Sequence, residues 1–345
     1  MTLTYMRYYV RRIAQAAFTM LSGLFLTYAL YRIIPGSPLQ NIIADIVERQ
    51  RQQGGQIDSE QIARLAEQMT GINPSEPIIV GFFDYVAGIV LRGDFGTSIL
   101  YQRPVFDILF SAMPWSIFLS VYGLMFGITA TVLVGVLMAW YEGSVIDKGG
   151  TVVLLLVNSI PYYVAAIVML SFLAFQWGIF PSGGRAPRAA TPGFNVEFML
   201  GILYHGALPV ISTFLLGFAL GAIGMRANTV SIVGSDYLRS ARLRGVSTNR
   251  ILTRYLTRNA ILPLYTAWVI GIGALFSSSV ITEQIFQYQG AGWFLFEAAT
   301  NTDYPLVMGA FIFFGGVTVI GILIADLTYG LIDPRAESGS TRETF

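Results

Sequence analysis

The chain has 345 residues, of which 54% are hydrophobic and only 12% are charged, with 21 Lys and Arg against 20 Asp and Glu. This composition is too apolar for a soluble domain of that length. The chain has no cysteine, which excludes disulfides, thiol catalysis and cysteine-ligated metals, and its single histidine, His205, excludes histidine triads and histidine-based metal sites. No catalytic or metal-binding residues of these kinds are therefore expected.

Nucleotide binding by a phosphate-binding loop is also excluded. Such a loop needs a lysine that follows Gly-x-x-x-x-Gly and precedes Ser or Thr. The only lysine, Lys148, is followed by Gly-Gly-Thr and has no such glycine pattern before it. If this protein uses ATP, another chain must bind it.

Six charge-free runs predict six transmembrane helices, because crossing a ~30 Å hydrocarbon core takes about 20 helical residues. Closed β-barrels show short alternating segments instead. The predicted fold is therefore an all-α, polytopic membrane protein. The runs are Ile13–Tyr31, Ile108–Tyr141, Gly149–Gly184, Phe198–Met225, Asn259–Thr282 and Tyr304–Ala325.

The first run follows Arg7, Arg11 and Arg12, as a signal peptide would. Its apolar part is longer than the roughly 7–15 residues of a cleavable signal, and no small-x-small site ends it. We interpret it as a retained span, with cleavage as the alternative.

Positive charge sets the predicted orientation, since Lys and Arg accumulate in short cytoplasmic loops. Arg7, Arg11 and Arg12, Lys148, the arginines from 226 to 258, and Arg335 and Arg342 then face the cytoplasm. Both termini lie inside. The predicted divisions are residues 1–34 (cytoplasmic segment and first span), 35–107 (extracytoplasmic helical region), 108–335 (five-helix core) and 336–345 (cytoplasmic tail).

Two stretches of helical periodicity occur in the extracytoplasmic region, around Leu39–Val47 and Ile62–Met69, and Pro74 and Pro77 interrupt the pattern. Two interpretations are open for this region. It either packs as a structural cap or presents a contact surface to an external partner.

Polar residues within or beside the spans mark a possible translocation path. Pro161 should kink the third run, which would free a carbonyl beside Asn158 and Ser159. Glu283 lies at the outer end of the fifth run. A structural kink and a simple loop are the alternatives for these two places. Asp326, near the cytoplasmic end of the sixth run, is the only acidic candidate, and we interpret it as a hydrogen-bond partner. An ion-coupled carrier needs ionisable groups within its spans, and the sequence offers few of them.

The most informative segment is the basic loop 236–263 between the fourth and fifth runs. Ser235 or Asp236 is suited to begin a helix, and Gly245 to end it in the left-handed conformation. Ser247 then begins a second helix, on which three arginines recur every four residues: Arg250, Arg254 and Arg258. A loop that only sets topology is one interpretation. Two helices hinged at a glycine, docking a cytoplasmic partner, are the other.

This loop resembles the "EAA" loop of ABC-transporter permease subunits, whose pattern is Glu-Ala-Ala, three residues, Gly, and a later hydrophobic-Leu-Pro. The matching positions are Arg239, Ser240, Ala241, Gly245, Leu262 and Pro263, with Arg in place of Glu; Arg242 also matches the Arg-x-Ala-Arg-x-x-Gly form of the dipeptide/oligopeptide/nickel branch. Other segments similar to that branch are Arg7–Arg12, Pro35–Pro38, Gly93–Ser98, Arg103–Val105, Ser159–Pro161, Phe180–Gly183, Glu283–Phe286, Gly290–Gly292, Asp303–Pro305 and Leu331–Arg335.

The resemblance implies a prokaryotic inner-membrane complex of two different permeases, two cytoplasmic ATPase subunits that hold ATP and Mg²⁺, and an extracytoplasmic substrate-binding protein. It implies that loop 236–263 is the coupling element and that this chain is no enzyme and binds no nucleic acid. The implied solute is a peptide, with oligosaccharides or nickel complexes as alternatives. An ion-coupled secondary transporter and a membrane scaffold are hypotheses of other classes.

Overall fold

The computed structural model describes residues 2–33, 38–52, 59–70, 76–187, 189–261, 264, 268 and 279–332. These residues are helical apart from connecting loops and one isolated antiparallel bridge between Thr97 and Pro104. They divide into two compact units, Met1–Ser116 with Gln289–Leu323 and Ile117–Tyr288 with Ile324–Phe345. The predicted all-α class is confirmed.

The helices in chain order are α1 (Thr2–Ile33), α2 (Pro38–Gln52), α3 (Ser59–Thr70), α4 (Ile78–Arg92), α5 (Val105–Trp140), α6 (Val145–Asn158), α7 (Tyr162–Met169, continued by the π-helix Leu170–Gln176), α8 (Val196–Val233), α9 (Asp236–Leu243), α10 (Thr248–Arg250, the π-helix Ile251–Leu256 and Thr257–Ala260), α11 (Ser279–Ile285), α12 (Ala291–Thr300) and α13 (Tyr304–Ile332).

Three of the described helices contain stretches that are long and apolar enough to cross a membrane: Ile13–Leu30 in α1, all of α5, and Val196–Phe214 in α8. Helices α6 and α7 form a fourth if they are taken as one bent span. The sixth run forms α13, with the apolar stretch Tyr304–Val319. Most of the fifth run lies outside the described residues. The chain is a multi-pass membrane protein.

A sharp bend separates α6 from α7 at the sequence Asn158-Ser-Ile-Pro161. The two helices meet at 93°, and Pro161 occupies the position before the first turn of α7 with φ −58° and ψ 131°. Proline cannot continue the hydrogen-bond ladder of α6, so the chain restarts as a new helix. The predicted kink in the third run is therefore a complete break.

Small residues bring α5 and α8 together in the second unit. The Phe214 ring of α8 lies against Gly123 and Gly127 of α5, and a Cβ atom at Gly123 would come within 1.9 Å of that ring. Gly135 likewise receives the Met225 side chain. The absence of side chains at these glycines of α5 thus allows the two helices to pack closely. Gly217, in contrast, has no atom within 4 Å of where a Cβ would stand.

Candidate functional site: the arginine-rich loop

Helix α9 begins after Ser235, whose backbone is extended with φ −69° and ψ 146°. Ser235, one of the two residues expected to begin this helix, thus occupies the N-cap position, although its side chain makes no capping hydrogen bond. Asp236 lies in the first turn, where its negative charge interacts favourably with the positive end of the helix dipole. Leu238 and Ala241 face inward and are buried.

A Schellman motif ends α9. The Val246 amide donates to the Ala241 carbonyl at 3.2 Å, and the Gly245 amide donates to the Arg242 carbonyl at 3.0 Å. Gly245 has φ +70°, a conformation in which an L side chain is disfavoured. This glycine therefore fixes the turn between α9 and α10, as the sequence predicts.

Helix α10 follows Ser247, which again lacks a side-chain cap. Its central part, Ile251–Leu256, is a π-helix rather than the regular α-helix that the sequence suggests. Ile251 and Leu256 are nevertheless buried, whereas Arg250, Arg254 and Arg258 are all exposed. The three arginines thus share the outer surface of α10 despite the altered helical period.

The inner side of the loop packs on the ends of α5 and α8. One buried cluster joins Leu238, Ala241, Ile251, Leu256 and Ala260 of the loop to Val136 and Met225. At its edge, the Arg242 guanidinium lies over the Trp140 ring, 5.3 Å from the centroid. The Asn259 amide donates to the Tyr237 hydroxyl at 3.1 Å and so connects the two helices of the loop. Helices α9 and α10, joined at Gly245 into an elbow, are consequently a packed element of the second unit.

The outer side of the loop is positively charged, and Leu243 is the most exposed of the loop's described large apolar side chains. Leu243 is 82% exposed at the last turn of α9. Exposed arginines lie before and after it in the chain: Arg239, Arg242, Arg244, Arg250, Arg254 and Arg258. Asp236, Ser240 and Gly245 are exposed as well, while Leu262 and Pro263 lie outside the described residues.

A bidentate ion pair holds α6 and α8 together and was not foreseen from the sequence. Arg226 Nη2 donates to Asp147 Oδ2 at 2.7 Å, and Arg226 Nε donates to Asp147 Oδ1. The Gly143 amide also donates to Asp147 Oδ2, at 2.9 Å. Asp147 is only 2% exposed. The sequence shows an acidic residue, Asp147, beside Lys148, but nothing local identifies its partner Arg226, which is 79 residues away.

The residues predicted for the translocation path have different environments. Asn158, Ser159 and Pro161 are exposed at the break between α6 and α7. Glu283, in α11, is fully buried. Helix α11 packs against α7, which begins directly after Pro161, and against α8. The Thr213 and Thr282 hydroxyls are 3.1 Å apart between α8 and α11.

Glu283 belongs to a cluster with Tyr288 and Arg185. Burial raises the pKa of the Tyr288 phenol above its ordinary value, the Glu283 carboxylate raises it further, and the Arg185 guanidinium opposes them. Burial also lowers the pKa of Arg185, and Tyr288 acts against that shift. The loop carrying Arg185 is fixed nearby, because the Gly184 amide donates to the Phe286 carbonyl at 3.2 Å.

Residues 131–338, which include the arginine-rich loop, match the family described as "Binding-protein-dependent transport system inner membrane component". The chain belongs to this family. The resemblance drawn from its motifs is thereby confirmed.

This inner membrane component is similar to three curated proteins over nearly its whole length. It is 28% identical over 332 residues to oligopeptide transport system permease protein AppB of Bacillus subtilis (strain 168), covering 96% of this chain and 99% of AppB. It is 27% identical over 338 residues to di/tripeptide transport system permease protein DppB of Pseudomonas aeruginosa (strain UCBPP-PA14), covering 94% and 97%. It is 26% identical over 347 residues to dipeptide transport system permease protein DppB of Escherichia coli (strain K12), covering 96% and 98%.

Proposed function

We propose that this permease subunit of an ABC importer forms half of a path for peptides. Oligopeptides, di- and tripeptides, and dipeptides are the solutes named for the related permeases. Oligosaccharides and nickel complexes are less favoured, as is ion-coupled transport, for which the sequence provides few intramembrane charges. The chain is a transport subunit and not an enzyme.

The observation that carries the proposal is the glycine-hinged elbow formed by α9 and α10. Its inner side is packed on the ends of α5 and α8, while its outer side presents Leu243 and six arginines. A partner that pushes on this elbow therefore pushes on two apolar helices. We assign residues 236–263 to coupling with a separate ATPase subunit, which holds ATP and Mg²⁺.

The chemistry of the outer side of the loop predicts the chemistry of the ATPase surface that binds it. An exposed leucine gains about 1.5–3 kcal/mol when it is buried. The surrounding arginines favour a carboxylate-bearing rim by electrostatic complementarity. The ATPase should thus offer an apolar pocket for Leu243, bordered by Asp and Glu. Arg250, Arg254 and Arg258 contact either that rim or anionic lipid headgroups.

The remaining organisation follows from the predicted topology. Six spans place both termini and the elbow in the cytoplasm, with residues 35–107 outside, in the inner membrane of a prokaryote. The full assembly has a second permease, two ATPase subunits and an extracytoplasmic binding protein. Asn158, Ser159, Pro161 and Glu283 are the proposed path residues.

Replacing Leu243 by Ser tests the docking assignment. The variant should bind the ATPase subunit at least about tenfold more weakly, because 1.4 kcal/mol of lost burial corresponds to a factor of ten. Affinity is measured by titrating purified ATPase onto the permease pair in lipid nanodiscs. Val196→Ser is the matched control, since Val196 is also highly exposed but begins α8, near the opposite end of that helix from the loop. Equal affinities for wild type and Leu243→Ser would contradict the assignment.

A further inference from the structure

Helix α4 is apolar on both of its faces. Gly81, Phe82, Tyr85, Gly88 and Ile89 face inward and are buried. The opposite face is equally apolar, and four of its side chains are between 62% and 80% exposed: Ile79, Phe83, Val90 and Leu91. A helix that is hydrophobic all round is typical of a buried or membrane-embedded position.

The neighbouring helices of the same region are built differently. Helices α2 and α3 place Ile46, Ile62 and Ala66 in the cluster shared with α4. Their outward side chains are mainly polar or charged, namely Glu48, Arg51, Gln52, Gln61, Arg64 and Glu67. Helices α2 and α3 therefore have the pattern of helices facing water, and α4 does not.

Contacts with α1 give the depth of α4 in the membrane. The Phe82 ring packs edge-on against Phe25 at 5.2 Å and against Tyr28 at 5.7 Å between centroids. Both partners lie in the spanning stretch Ile13–Leu30. At 1.5 Å of rise per residue, they lie about 3–8 Å before the end of that stretch. Helix α4 is therefore level with acyl chains and headgroups rather than bulk water.

The length of α4 excludes a seventh span. Its 15 residues extend only about 22 Å, less than the ~30 Å of the hydrocarbon core. Interfacial helices, in contrast, lie along the membrane with an apolar face about 5–10 Å deep. Both the length and the depth of α4 fit that arrangement.

The exposed face favours lipid over another protein helix as its neighbour. Transmembrane helices that associate usually meet through small residues. The two glycines of α4, Gly81 and Gly88, are on the buried side. The exposed side carries bulky side chains, and the one acid in the helix, Asp84, lies at the flank of this face.

We propose that α4 is an interfacial helix whose Ile79–Phe83–Val90–Leu91 face contacts the acyl chains of the leaflet at the C-terminal end of the first span. The extracytoplasmic region is then anchored to the bilayer surface by α4, with α2 and α3 above it in water. This inference does not depend on the coupling role of residues 236–263.

The test uses nitroxide labels, for which the chain is convenient because it contains no cysteine. Phe83→Cys and Val90→Cys are each labelled in the full transporter in lipid nanodiscs, and power saturation measures collisions with oxygen and with a water-soluble nickel chelate. Phe18→Cys, 73% exposed within the spanning stretch of α1, is the lipid control. Glu48→Cys, exposed on α2, is the water control.

We expect the oxygen-to-nickel accessibility ratio at positions 83 and 90 to be several-fold higher than at position 48 and close to that at position 18. A ratio equal to that at position 48 at both sites would overturn the proposal in favour of an aqueous surface. Low accessibility to both reagents would overturn it in favour of a protein neighbour, such as the second permease.

Discussion

The Ser98 hydroxyl donates a 2.5 Å hydrogen bond to Asp303 Oδ2, joining two residues that are 205 positions apart. Both side chains are fully buried. Asp303 Oδ2 also accepts from the Leu100 amide at 3.0 Å, and Asp303 Oδ1 accepts from the Leu306 amide at 3.3 Å. This carboxylate fixes the loop before α5 to the first turn of α13. The motifs Gly93–Ser98 and Asp303–Pro305 are thus two parts of one structural connection.

Replacing Ser98 by Ala should destabilise the first unit. The buried Asp303 carboxylate would lose one of its donors, and hydrogen bonds to charged groups contribute about 1.5–3 kcal/mol. We expect the melting temperature of the purified transporter to fall by several degrees in intrinsic tryptophan fluorescence. Ser171→Ala is the control, because Ser171 is exposed and donates only to the Ile167 carbonyl one turn away in its own helix. Equal melting of Ser98→Ala and wild type would show that the connection is dispensable.

Replacing Arg226 by Met should be more damaging. Asp147 would remain buried without its cation, and breaking a buried ion pair from one side costs about 3–5 kcal/mol. We expect poor recovery of monodisperse protein after detergent extraction, measured by size-exclusion chromatography. The double variant Asp147→Asn with Arg226→Met should recover much of the loss, because it removes the buried charge. A single variant as stable as wild type would refute the role given to this pair.

Gly81→Ala should loosen the contact between α1 and α4. A Cβ atom at Gly81 would stand 2.6 Å from the hydroxyl oxygen of the buried Tyr28, so that the Tyr28 side chain or one of the two helices must shift. The control is Gly23→Ala in α1, where no atom lies within 4 Å of the added Cβ. The control should be neutral or stabilising by up to ~1 kcal/mol through helix propensity. Gly81→Ala should therefore lower the melting temperature, whereas Gly23→Ala should leave it unchanged or raise it. Equal melting temperatures of the two variants would argue against the α1–α4 packing.

Tyr288→Phe should be tolerated. Among the described residues, the buried Tyr288 hydroxyl has no hydrogen-bond partner, and removing an unsatisfied polar group is neutral or favourable. Glu283→Leu, in contrast, removes a fully buried carboxylate from the same cluster and should reduce peptide uptake into proteoliposomes. A large uptake defect in Tyr288→Phe would mean that its hydroxyl takes part in transport.

The features that were predicted correctly are those with local sequence signals. Charge-free runs predict the all-α membrane class because solvation in lipid depends on continuous apolar length. Pro161 predicts the break between α6 and α7, and Gly245 predicts the turn after α9, because each imposes its own backbone conformation.

The features that were missed depend on partners far apart in the chain. Nothing beside Asp147 identifies Arg226 as its partner, and nothing beside Ser98 identifies Asp303. The apolar exposed face of α4 could not be predicted from the sequence for a related reason. Its short run, interrupted by Asp84, is below the length that indicates a span, so its position in the membrane follows only from its contacts with α1.

We propose that force from a separate ATPase passes through the elbow at Gly245, and one pair of variants tests this coupling. Gly245→Val places a β-branched side chain at φ +70°, where even an unbranched L residue costs about 1–2 kcal/mol. Gly234→Val is the matched control, because Gly234 lies just before α9 at φ −80° with no atom within 4 Å of an added Cβ. The measurement is ATP hydrolysis by the reconstituted transporter, stimulated by the substrate-loaded binding protein. We predict that Gly245→Val assembles but loses most of the stimulation while Gly234→Val keeps it; full stimulation in Gly245→Val would contradict the coupling role of this elbow.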